Sequence, residues 1–103
     1  MAFNTVNTGL ECIVNVPNSF VYLVYDDENC ACINFHLIVN KLTELFILHN
    51  ITRKRGIFSL ELYNKSKICC ISKSNFDRIR QNYVNNINHE VFYILDCYKL
   101  DEK

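Results

Sequence analysis

The sequence predicts an α/β chain of the α+β type, with elements in the order β-α-β-β-α-β and two helices packed on one face of a mainly antiparallel sheet. Three observations point there. Phe35, Ile38, Val39, Leu42, Leu45 and Phe46 recur at helical spacing. Phe58, Leu60 and Leu62 alternate with Ser59, Glu61 and Tyr63, the period of a half-buried strand. Glu90–Tyr98 is a strongly apolar run that suits a closing strand.

In chain order, residues 1–10 are polar and are expected to form a flexible arm ahead of a single domain over residues 11–100. Glu11–Val16 and Ser19–Tyr25 are rich in β-branched and aromatic residues. Pro17 separates them, because proline cannot donate to a strand ladder. Phe20–Tyr25 is the better strand, and Asp26-Asp27-Glu28-Asn29 reads as a polar loop. Asn34 then caps a helix running to about Leu48. His49–Gly56 reads as a polar loop carrying Arg53-Lys54-Arg55. The strand Ile57–Tyr63, the turn residues Asn64-Lys65-Ser66 and the return strand Lys67–Ser72 form a hairpin. Ser74 or Asn75 caps a second helix, with Phe76, Ile79, Tyr83 and Ile87 facing inward and Arg78, Gln81 and Asn82 outward. Residues 101–103 are a short charged tail.

The composition suits one core. The chain has 103 residues, half of them hydrophobic, including seven Phe and six Tyr. Two Gly and one Pro argue against disorder and long linkers. Six cysteines do not read as a secreted disulfide scaffold, because Met1-Ala2-Phe3-Asn4 does not open a signal peptide. Cys12, Cys69, Cys70 and Cys97 lie in apolar or alternating runs, where a free thiol behaves as a small hydrophobe. A reducing compartment is expected. No uncharged apolar run approaches the roughly 18 residues of a membrane span, so no membrane partner is expected.

Net charge is zero, but it is unevenly spread. Between His49 and Tyr83 stand eight basic residues, Arg53, Lys54, Arg55, Lys65, Lys67, Lys73, Arg78 and Arg80, against two acids, Glu61 and Asp77. The rest of the chain holds three lysines against nine acids. Local fields rather than net charge attract phosphates. The Arg53–Arg55 loop, the Lys65/Lys67 hairpin tip and the Arg78/Arg80 helix face are expected to converge at one end of the sheet, with Tyr63 and Tyr83 nearby and equally suited to stacking on a base or to packing in the core.

Other chemistry is weakly signalled. Cys30-Ala31-Cys32 with His36 lacks the second ligand pair of a structural zinc site. Cys12, Cys97 and His89 carry no motif that would pair a thiol with a base. Gly9 and Gly56 are isolated, so no glycine-rich phosphate loop is present. No catalytic residue, metal, cofactor or small-molecule substrate is expected.

Asn34-Phe35, the hairpin turn Asn64-Lys65-Ser66-Lys67-Ile68 and the helix Phe76-Asp77-Arg78-Ile79-Arg80-Gln81-Asn82-Tyr83 resemble motifs of the eukaryotic large-subunit ribosomal protein L-twenty-two family. In that family a helix opens with Asn-Phe, a hairpin turn contains Ser-Lys-Ser-Lys-Ile, and a second helix opens with Phe. The resemblance covers roughly residues 20–98. It lacks the family's lysine-rich N-terminal segment and long acidic tail, as a shortened member from a reduced, AT-rich genome such as a microsporidian would. It implies a structural protein of the cytoplasmic large ribosomal subunit, with ribosomal RNA and neighbouring ribosomal proteins as partners. Lys65, Lys67, Arg78 and Arg80 are the contacts it implies; Arg53, Lys54, Arg55 and Lys73 join them on charge alone. The competing expectation is a small protein-interaction module docking through a sheet edge or an apolar patch.

Overall fold

The computed structural model describes residues 16–85 and 91–99. The predicted arm, most of the expected strand Glu11–Val16 and the charged tail lie outside these residues. The described chain is a mixed α+β domain: β1 (Ser19–Tyr25), α1 (Glu28–Glu44), β2 (Leu48–Lys54), β3 (Ile57–Leu62), β4 (Lys67–Ser72), α2 (Lys73–Asn85), β5 (Val91–Asp96) and a 3-10 turn at Cys97–Lys99. The five strands form one sheet in the order β2-β3-β4-β1-β5.

Two expectations about the sheet are corrected. It is mixed rather than mainly antiparallel: β1 is parallel to both β4 and β5, while β2-β3 and β3-β4 are antiparallel. The helices lie on opposite faces rather than on one. Val21, Leu23 and Tyr25 of β1 join Ala31, Phe35, Ile38 and Leu42 of α1 in one apolar cluster. Phe20, Tyr22 and Val24 join Phe76 and Ile79 of α2 in a second. The cause is visible in β1, whose seven residues are all buried. A strand covered on both faces reads as an unbroken apolar run, and it needs a helix on each side.

The first helix starts earlier than its apolar stripe suggests. Asp27 is its N-cap, its Oδ1 accepting the Cys30 N–H at 2.8 Å. The segment Asp26–Asn29, expected as a loop, therefore includes the cap and first turn. Asn34 is interior, its side-chain amide donating to the Cys30 carbonyl at 2.8 Å. The helix also ends sooner. Ile47 N–H reaches back to Leu42 O and Phe46 N–H to Thr43 O, with Phe46 at φ 58°. That bond pair closes a helix through a left-handed residue, a position glycine usually takes. Leu45 and Phe46, expected in the buried stripe, are exposed.

The expected loop His49–Gly56 is mostly strand β2 and a tight turn. Lys54 pairs with Ile57 across Arg55 and Gly56, whose φ values are 53° and 78°. Two successive left-handed residues make a type I′ turn, the geometry that matches strand twist. A Cβ on Gly56 would lie 2.9 Å from Asn75 Nδ2 and 3.0 Å from Glu28 Oε1, so the turn tip nests against the first turns of both helices. Gly56→Ala is expected to cost about 1–2 kcal/mol from left-handed backbone strain, measured by urea denaturation. A cost near zero would mean that the turn is not held in this form.

The β3–β4 hairpin forms as predicted. Ser66 Oγ accepts the Ser19 N–H at 3.0 Å and donates to Val16 O at 3.2 Å, while Asn18 N–H bonds Asn64 O at 3.1 Å. The turn is thereby fastened to the entry of β1. Ser72 caps α2, its Oγ accepting the Asn75 N–H at 3.3 Å. The helix thus begins one to two residues ahead of the expected cap. Phe76 is buried and Ile79 half-buried beneath α2, as expected; the side chains of Tyr83 and Ile87 lie outside those described.

Candidate nucleic-acid interface

The topology divides the eight basic residues. β3 begins beside Lys54 and ends beside the turn that carries Lys65. Arg53-Lys54-Arg55 and Lys65/Lys67 therefore sit at opposite ends of one six-residue strand, roughly 17–20 Å apart. The expected convergence at a single end does not occur.

Side-chain alternation divides them again. Phe58, Leu60 and Leu62 of β3 belong to the α1-side cluster, so Ser59 and Glu61 point to the α2 side. Register carries the same assignment to the neighbours. Arg53 pairs with Phe58 and Ile51 with Leu60, on the α1 side. Lys54 pairs with Ile57, Thr52 with Ser59, Asn50 with Glu61, and Lys67 with Glu61, on the α2 side. The Arg53 guanidinium lies over the Phe35 ring at 5.5 Å, which fits that placement.

Helix α2 sorts its own cations. At 100° per residue, Asn75 and Arg78 share one flank, while Lys73, Asp77 and Arg80 share the opposite one. The Asn75 amide is the atom that crowds Gly56, and Arg78 Nη2 donates to Asn75 Oδ1. Arg78 therefore faces the β2–β3 ribbon. Lys73 pairs with Asp77 at 3.0 Å and lies 5.7 Å from the Tyr98 ring, toward β5. Arg80 lies over the Phe76 ring at 5.9 Å.

The result is one coherent basic region and several outlying cations. Lys54, Arg78 and Lys67 border the α2-side face of the ribbon, with Lys65 (φ 71°) at its far turn. α2 packs on β4 and β1, leaving Asn50, Thr52 and Lys54 exposed and Ser59 and Glu61 half-exposed. Arg53 and Arg55 project from the outer edge and tip of the same hairpin. Among the described residues, Arg53, Lys54, Arg55, Lys65, Lys67, Arg78 and Arg80 make no ion pair; Lys73 alone of the eight is neutralised, by Asp77.

At the end remote from Arg55, side chains that charge alone did not single out gather around Tyr63. The Tyr63 N–H bonds Ile47 O at 3.2 Å. This places the backbone of Phe46, 89% exposed, beside Tyr63, 67% exposed. The His49 and Tyr63 rings lie 4.9 Å apart. His49 is the extra residue where the register shifts between Leu48 and Asn50, and such bulges re-aim side chains. The visible sequence signal for this hairpin was Gly56 preceded by Ile51-Thr52 and followed by Ile57, obscured because Arg replaces the usual Asn or Asp ahead of the glycine.

Three of the thiols are poorly placed for nucleophilic work. Burial pushes Cys69 up to about 12 and holds Cys70 well above the ordinary value. The Asp27 carboxylate beside Cys30 raises that thiol as well. Cys12 and His89 lie outside the described residues. Among the described residues, no group of three or more His, Cys, Asp or Glu side chains could hold a metal ion, and no helix is long and apolar enough to cross a membrane. Compared with known proteins, the chain matches no family model, no curated protein and no solved structure.

Proposed function

We propose that this chain is a non-enzymatic RNA-binding protein that uses the β2–β3 hairpin and its borders to hold phosphates. The observation that carries the reading is the hairpin tip. Arg53, Lys54 and Arg55 are exposed and unpaired among the described residues. Arg55 occupies a left-handed position at φ 53°, where Asn or Gly would be easier and a side chain costs about 1–2 kcal/mol. The fold gains nothing visible from arginine there, whereas a polyanion gains a projecting charge.

The specific placement we propose is the cytoplasmic large ribosomal subunit, in contact with ribosomal RNA and neighbouring ribosomal proteins. Its support is the Asn64–Ile68 hairpin and the helix carrying Phe76, Arg78 and Arg80. Asn34-Phe35 gives none, because it lies inside α1 rather than at its start. A second reading, a protein-interaction module, is favoured by Ile33 and Leu37. They are 53% and 60% exposed one turn apart on the outward face of α1.

Sedimentation of lysate through a sucrose gradient separates the two. The expected result is migration with large ribosomal subunits that is lost in high salt and after nuclease treatment. Migration in a complex indifferent to both treatments would replace the RNA reading with the protein-partner one.

A further inference from the structure

We propose that the α2-side face of the β2–β3 ribbon is a groove for single-stranded RNA, with bases stacking at Tyr63 and His49 and phosphates held by Lys54, Arg78, Lys67 and Lys65. This rests on the RNA-binding reading above and narrows it to unpaired RNA.

The groove has a floor, a wall and two ends. Its floor is Asn50, Thr52, Ser59 and Glu61, short polar groups set in register across β2 and β3. Its wall is the Asn75/Arg78 flank of α2, held against the Gly56 turn. Lys54 stands at one end. Lys65 and Lys67 stand at the other, beside Tyr63 and His49. Four cations stand against two acids, Glu61, which lies opposite Lys67 in the register, and Glu28, whose carboxylate sits at the Gly56 turn. That charge pattern suits a polyanion.

The aromatic end decides for single strands. Duplex bases are stacked on one another and cannot reach a protein ring, whereas unpaired bases splay out onto aromatic side chains. Tyr63 leaves two thirds of its surface to solvent, and its ring lies 4.9 Å from that of His49.

The test uses the full chain and fluorescence anisotropy, with a labelled single-stranded RNA of about 12 nucleotides and the blunt duplex of the same sequence. The single strand is expected to bind at least roughly tenfold more tightly than the duplex. Tyr63→Ala should weaken single-strand binding about tenfold, the scale of one lost stacked base, without altering its salt dependence. Tyr63→Phe should retain binding. The chain has no Trp, so Tyr63→Trp adds an emission from this position alone, which the single strand should quench. Tyr63 is exposed, and its N–H bond to Ile47 does not depend on the side chain, so these variants fold; a melting curve checks this. Equal affinity for both RNAs, with Tyr63→Ala neutral, overturns the groove and leaves the phosphate-binding reading intact. Failure of the unaltered chain to bind either RNA removes both.

Discussion

Replacing Arg53, Lys54 and Arg55 together by Glu is expected to weaken RNA binding on the order of 100-fold near physiological salt, with little change in stability. Each cation that neutralises a phosphate releases counterions and contributes about 0.7–0.9 to the slope of log affinity against log salt. Losing three should lower that slope by about 2–3. The three side chains are exposed. Exposed substitutions such as that of Lys54 usually stay within about 0.5 kcal/mol, and Arg53→Glu adds the loss of its cation–π contact with Phe35, about 0.5–1 kcal/mol at an exposed site. Arg55 already bears the left-handed strain that Glu would bear. The informative measurement is binding at several salt concentrations beside a denaturation curve. A slope unchanged by the triple substitution would mean that the hairpin tip touches no phosphate.

Phe35→Ala is expected to be the most damaging single change to the fold, at about 3–5 kcal/mol. Domains of this size have roughly 5–15 kcal/mol in all. Phe35 has no solvent exposure, its ring centre lies 5.3 Å from that of Phe58, and the Arg53 guanidinium covers it at 5.5 Å. Removing the ring opens a cavity between α1 and the sheet and frees Arg53 from its support. Leu37→Ala, on the exposed side of the same helix, should cost no more than about 0.5 kcal/mol. Urea midpoints of the two variants make the comparison. Similar losses in both would contradict the way α1 is rotated onto the sheet.

These expectations show where the sequence was readable. The β3–β4 hairpin could be read because one face of β3 meets the core and the other meets solvent, which writes a period of two into Phe58–Tyr63. The stripe of α1 was readable at Phe35, Ile38 and Leu42, but not at its ends. Those depend on Asp27 as a cap and on Phe46 taking a conformation that its residue type does not advertise. The layer arrangement was misread although its signal was present. Phe20–Tyr25 and Ile68–Ile71 are apolar at successive positions, and only a helix on each face accounts for that. The interface was half legible. Charge identified Lys54, Lys67 and Arg78, but which cations share a surface follows from strand register and helix phase, and both emerge only once the sheet order is known. His49 carried no signal, since its role comes from a bulge.

The central position of β1 has a consequence for how the molecule is made. This strand is the first described element in the chain, yet its two hydrogen-bonding edges are filled by β4, some 47 residues downstream at Phe20↔Lys67, and by β5, some 72 residues downstream at Ser19↔Val91. A ribosome adding roughly 5–20 residues per second leaves this apolar segment without its neighbours for seconds. Unpaired edges of that kind template aggregation, and such distant pairings close slowly. Chains cut before Val91 should therefore collect in the insoluble fraction, and dilute refolding of the intact chain should outperform concentrated refolding.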